Sequence, residues 1–174
     1  MNGPEKANWK ELRQAFSKTS HYHPYNIDVD EKLKGIAESI GRGELKASET
    51  ALLKLVERDR FMRFESLAML MMLYDRMEQP EKSKKYGKLV ESILGVLAYP
   101  KAGVGFENAI EVLYVEEEYF VTSEMPVKNQ ALSIKDGHRY DVFTIKATKA
   151  GPERRVYFNI DLLGNAKPII DGEK

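Results

Sequence analysis

The chain has 174 residues, and among them are no cysteine, three histidines, one tryptophan and equal numbers of acidic and basic side chains, 27 of each. Without cysteine there is no disulfide frame, no thiolate nucleophile and no iron–sulfur or cysteine-ligated zinc site. A formal net charge of zero supplies no general attraction to phosphate backbones or anionic lipid. The balance also holds locally, with 17 basic and 15 acidic groups up to residue 100 and 10 and 12 after it. Nucleic acid is therefore not an expected partner. Long apolar runs are missing too. The first thirty residues are polar, so no membrane insertion is expected, and the chain reads as cytoplasmic, or as periplasmic or secreted if a leader has been removed. No motif implies a cofactor.

What is present is a 43% hydrophobic fraction, enough at this length to bury a core without disulfides or a structural metal. The pattern changes once along the chain. From Asn8 to about Ala98 the apolar residues recur at helical spacing. Trp9, Leu12 and Phe16 form a short amphipathic segment, and TSHYHPYN at 19–26 breaks it. Asp28 with Glu31 has the spacing of a capping box, predicting a helix that carries Leu33, Ile36 and Ile40 and stops at Gly41 and Gly43. A third helix is expected over about Ala47–Asp59. A fourth, over about Phe64–Met77, is apolar on nearly every side, and its methionines at 69, 71 and 72 read as core. A fifth follows Pro80 and carries Tyr86, Leu89, Val90, Ile93 and Leu97. The last two resemble one tetratricopeptide-type hairpin, with Gly87 at an aromatic position of that pattern and no second copy to build an array.

After Gly105 the period becomes two. Ile110–Val115, Glu118–Ser123, Gln130–Lys135, His138–Thr148 and Val156–Ile160 read as five strands of an antiparallel meander, with Asp136–Gly137 the clearest hairpin turn. Helices followed by strands indicate an α+β fold. A single domain over 1–174 is expected, with 1–100 forming a helical layer packed on the sheet of 101–174.

The stretch Gly103-Val104-Gly105-Phe106-Glu107-Asn108-Ala109, with Glu117-Glu118-Tyr119, Asn129-Gln130-Ala131-Leu132, Tyr140-Asp141-Val142 and Val156-Tyr157-Phe158-Asn159-Ile160-Asp161, resembles bacterial proteins grouped as domain of unknown function 4919. His23-Pro24-Tyr25-Asn26 extends the likeness more loosely into the helical half. That family's glycine loop usually reads Gly-Asp-Gly, where this chain has Val104. Members often carry export signals, and the resemblance implies a fold and no activity.

Several groups are candidate sites. Gly103 and Gly105 allow close backbone approach to a ligand, though they lie between a helix and a strand and not at the strand-to-helix turn of a phosphate loop. Glu107 follows them, and Tyr157, Asn159 and Asp161 share a polar strand face; these six residues are the expected binding surface. His21 and His23, with Asp28 and Asp30 nearby, are metal candidates. Glu116-Glu117-Glu118 can supply paired carboxylates only if one is buried, and three adjacent glutamates at a hairpin turn read as solvated. His138 and Asp141 near Ser133 offer hydrolase chemistry, but no Gly-x-Ser-x-Gly elbow exists. The run Lys82, Lys84, Lys85, Lys88 reads as a wet helix face. The expected function is non-enzymatic recognition of a protein or peptide through the helical hairpin or a sheet edge. A hydrolase or metal-dependent enzyme using His138 and Asp141, or His21 and His23, is the alternative, and a small-ligand carrier is a third.

Overall fold

The helical period over Asn8–Ala98 becomes five α-helices in a computed structural model that describes residues 7–25, 27–149 and 151–165, with the side chain of Ile27 also outside the description. They are α1 (Trp9–Phe16), α2 (Ile27–Gly41), α3 (Leu45–Arg58), α4 (Phe64–Arg76) and α5 (Pro80–Leu97). The remainder holds a 3₁₀ turn at Phe106–Asn108, strand β1 (Ile110–Glu111), helix α6 (Val115–Thr122), strands β2 (Val127–Lys135), β3 (His138–Ile145) and β4 (Arg154–Asn159), and a final 3₁₀ turn at Leu162–Asn165. The fold is α+β, helices first and strands after, as the change of period predicts.

The described residues form two compact units. One contains the chain up to Phe16 and Tyr25–Gly95; the other contains Ser17–Pro24 and the chain from Val96 onward. In the first, α2, α3 and α4 bury Val29, Leu52, Leu67 and Leu70 completely. Apolar residues three and four apart line one stripe of each helix, and that stripe is what packs. The fourth helix is narrower in its apolar contacts than its composition predicts: Leu67, Leu70, Leu73 and Tyr74 are buried, whereas Met72 is exposed. Helices α4 and α5 meet where the Tyr74 and Tyr86 rings stack at 5.5 Å. At Gly87 an added Cβ would sit 3.4 Å from the Met71 sulfur, so the thioether of α4 packs close to the backbone of α5 there. In α1 Phe16 is buried and Trp9 half-buried, as the apolar spacing predicts, whereas Leu12 is exposed and Arg13 fully buried, so the inward face is turned toward Arg13. Helix α2 begins at Ile27, placing Asp28 in its first turn and not ahead of it.

A buried polar cluster ties α3 to α4 and α5. Glu49 accepts hydrogen bonds from the Tyr74 hydroxyl at 2.9 Å and from Lys46 and Lys82 at 2.5 and 3.2 Å. The Lys46 bond, then that of Tyr74, hold its carboxyl down at about 2 against the opposing effect of burial. The ammonium of Lys82 also lies 4.8 Å over the Tyr74 ring, so this lysine is more than a wet-face charge.

Among its described residues the second unit contains a four-stranded sheet in the order β1-β4-β3-β2. β2 pairs with β3 and β3 with β4, both antiparallel, but β1 runs parallel to β4. The sheet is therefore mixed and not the pure meander that the sequence predicts. Asp136 and Gly137 both have positive φ, 53° and 81°, the backbone of a two-residue hairpin turn whose twist matches the strands it joins. The fifth expected strand is absent because Glu118–Ser123 is largely part of α6. Three glutamates fall in the first turn of that helix, where carboxylates meet the positive end of the helix dipole. One of them reaches back: Glu117 Oε2 accepts the Leu113 backbone N–H at 2.8 Å, satisfying a donor just ahead of the helix. The β-type alternation of this stretch loses to those end effects. The segment Ser17–Pro24 belongs to the same unit, where the Tyr22 hydroxyl donates to the Leu113 carbonyl at 2.5 Å and its ring lies 5.9 Å from that of Tyr114.

Candidate functional site

Of the expected binding residues, Tyr157 and Asn159 lie in β4, Asp161 just beyond its end, and the glycine loop runs beside it. Gly103 is buried with φ 74°. Its N–H donates to the Asn108 carbonyl at 2.7 Å, and its own carbonyl accepts the Tyr157 N–H at 3.0 Å, so the glycine loop is laced onto β4. A Cβ there would lie 2.7 Å from Val156 Cγ1. The role of this glycine is thus close packing against a strand. Gly105 has φ 76° and turns the chain into the Phe106–Asn108 turn. Phe106 sits edge-on to Tyr140 and Tyr157 at 4.9 and 4.7 Å. Lys135 lies 4.8 Å over the same ring and bridges to Glu107 at 3.1 Å. The backbone N–H of Glu107 and then Lys135 hold that exposed carboxyl below the usual carboxylate range.

At the end of β4, Asp161 collects donors. It accepts the Arg139 N–H at 2.9 Å on Oδ1 and lies 2.6 Å from His138 Nδ1 through Oδ2. Asn159 Oδ1 accepts the Asp161 N–H at 3.0 Å, and Arg139 Nη2 donates to the Asp161 carbonyl at 3.1 Å. Burial works to raise the Asp161 carboxyl, but the Arg139 N–H and His138 outweigh it and hold it low. The absence of a side chain at Gly164 leaves the space that the Arg139 guanidinium fills. These contacts satisfy one another and make a well-tied corner. The face shared by Tyr157, Ser133, Thr144, Asn129 and Arg155 is a shallow open depression of about 290 Å³ floored by Phe106, Ala131 and Val142. A second, of about 420 Å³, lies by Pro126, Lys146, Pro152 and Arg154.

The structure does not bring together the other candidates. His138 pairs with Asp161; Asp141 points to the opposite face of β3, where its carboxylate accepts Gln130 Nε2 at 2.9 Å. His21 is exposed and His23 half-buried in the Ser17–Pro24 segment. Among the described residues no group of three or more histidine, aspartate or glutamate side chains is placed to hold a metal.

Two features escape the sequence reading. The first corrects it: Glu117 and Glu118, expected at a solvated turn, are each 1% exposed. Burial first, then the charge and hydrogen bond of Asp141 and the charge of Glu117, push the Glu118 carboxyl up to about 8. Glu118 is therefore largely protonated at neutral pH beside Asp141. Raising one of two close carboxyls is what burial of like charges does. The reason is tertiary: α6 lies on the sheet face that carries Asp141 and Phe143, where the Tyr119 ring meets that of Phe143 at 6.2 Å. The second feature is β2. Among the described residues it is an edge strand of nine residues, paired on one side, with Leu132 63% and Ile134 70% exposed. Both project to the α6 side of the sheet, since Leu132 opposes Asp141 and Ile134 opposes Arg139. Among the described residues no helix is long and apolar enough to cross a membrane. No family model, curated protein or solved structure matches this chain.

Proposed function

We propose that this chain is a non-enzymatic binding module that recognises an extended segment of a protein or peptide at the β2 edge. One observation carries the reading: among the described residues β2 has one side of its backbone outside the sheet's ladder, beside two large exposed apolar side chains. Native sheets usually blunt such an edge with charge, proline or a short strand, because an open edge is a template for another strand. Here the charges, Lys128 and Lys135, stand only at the ends, and the centre, Gln130–Ile134, is free of them. Added strands gain backbone hydrogen bonds from the edge and side-chain selectivity from alternate positions. Leu132 and Ile134 are such alternate positions, and Gln130, already oriented by Asp141, is the next. The corner at Asp161 and the glycine loop on β4 serve this reading by fixing the far side of the sheet. The grouping with domain of unknown function 4919 belongs to the same proposal and rests on the residues from Gly103 to Asp161.

The test is selection from a library of displayed linear peptides against the purified chain, with Leu132→Lys/Ile134→Lys as the counter-target. Enrichment of peptides with apolar residues at every second position, bound at least about tenfold more weakly by the double variant, is expected. Peptides bound equally well by both proteins would refute the assignment to β2.

A further inference from the structure

We infer that in the absence of a partner strand the β2 edge is occupied by β2 of a second copy of this chain, antiparallel about a two-fold axis at Leu132. The inference rests on the strand-pairing reading and names the first occupant of the edge. Its support is the self-complementarity of the strand. The regular part of β2 is bounded on one side by the bulge between Val127 and Asn129 and on the other by the Asp136–Gly137 turn, leaving Asn129–Lys135 as an uninterrupted span. A two-fold axis at its middle residue is the register that pairs the whole span with itself. Leu132 then opposes Leu132 of the second copy, Ala131 opposes Ser133, Gln130 opposes Ile134, and Lys135 opposes Asn129.

Two consequences of that register favour it. Leu132 and Ile134 from both copies form one continuous apolar strip, removing from water the two most exposed apolar side chains of the sheet. No lysine faces a lysine, and Asp136 at the turn lies toward Lys128 of the second copy. Directly opposed like charges would weaken a strand pair, and this register has none. A single strand pair is a small interface, below the roughly 1,200 Å² or more that stable complexes bury. The pair is accordingly weak and exchangeable, which allows a partner strand to displace the second copy.

The cysteine-free chain makes the register directly testable. Residues directly opposite in an antiparallel pair lie about 4.5–5.5 Å apart, within disulfide range. In the Leu132→Cys variant, air oxidation is expected to give a covalent dimer. Ala131→Cys and Ser133→Cys are each expected to remain uncross-linked alone and to cross-link when mixed. Sedimentation of the unaltered chain should show a mass rising towards twice the monomer with concentration, and Leu132→Lys should remove that rise. A chain that stays monomeric throughout, or a dimer that the Leu132→Cys substitution fails to cross-link, overturns the inference. Peptide selection by the same preparation separates the two levels: peptides still captured at β2 by a monomeric chain leave the binding reading standing, whereas their absence refutes that as well.

Discussion

Replacing Gly103 by alanine tests how the glycine loop is held to the sheet. The residue is buried, its φ is 74°, and the new methyl would meet Val156 Cγ1 at 2.7 Å and Ile110 Cδ1 at 3.4 Å. Valine is branched at Cβ and has little rotamer freedom to yield. Two costs therefore combine: about 1–2 kcal/mol for an L-residue in the left-handed region, and about 1–3 kcal/mol for a methyl forced into packed surroundings. The expected loss is about 2–5 kcal/mol, a large share of the roughly 5–15 kcal/mol typical of whole proteins. Urea unfolding followed by tyrosine fluorescence reads it as a fall in midpoint. Two other glycines provide the scale. At Gly43 φ is also positive, 84°, but nothing lies within 4 Å, so Gly43→Ala should show the backbone cost alone. Gly35 is an exposed helical glycine with open space, and Gly35→Ala should stabilise by about 0.5–1 kcal/mol. Equal losses at Gly103 and Gly43 would refute the packing argument and reduce the loop to an ordinary turn.

Other perturbations address the remaining contacts. Tyr74→Phe removes the donor to Glu49 and should cost about 1–2 kcal/mol by denaturant titration, because Lys46 and Lys82 still satisfy the carboxylate. The depressed Glu49 carboxyl contributes stability that is present above the ordinary carboxylate pKa and is lost as pH falls towards about 2, so Glu49→Gln should flatten the acid limb of a thermal-stability profile. Glu118 has the opposite sign. Its raised pKa means the favourable neutral form is fully present below the ordinary carboxylate pKa and its advantage is lost as pH rises through about 8, so Glu118→Gln should remove a decline in stability over that window. At pH 8 the variant should exceed the original by at least about 1 kcal/mol, the linkage of a single pKa unit. Leu132→Lys/Ile134→Lys, both on the exposed edge, should change stability by no more than about 0.5 kcal/mol while lowering peptide affinity, measured by calorimetry on the same sample.

The parts of this fold that local chemistry controls are legible in the sequence. The third and fourth helices, expected at about 47–59 and 64–77, lie at Leu45–Arg58 and Phe64–Arg76, and the Asp136–Gly137 turn is where its residue types demand it. The glycines at 103 and 105 do mark positive φ. What departs from the reading depends on effects beyond the local period. Glu118–Ser123 alternates like a strand, but Glu117 caps the chain ahead of it and the three carboxylates favour a helix start. The parallel pairing of β1 with β4 joins Ile110 to Phe158, and no local pattern encodes it. The candidate site follows the same rule. Period two places Tyr157, Asn159 and Asp161 together at one strand end, whereas nearness in sequence pairs His138 with Asp141 and the sheet delivers Asp161 instead. The edge position of β2 cannot be read from its residues, since edge and central strands share the same alternation until the strand order is known.

If β2 is the recognition surface, a selected peptide binds along it, and nuclear magnetic resonance mapping of that peptide on the isotope-labelled chain tests this most directly. Amide shifts concentrated at 129–135, with cross-strand contacts between the peptide backbone and those residues, are the predicted result. Shifts concentrated on the α4–α5 hairpin, with the β2 amides unmoved, would contradict it.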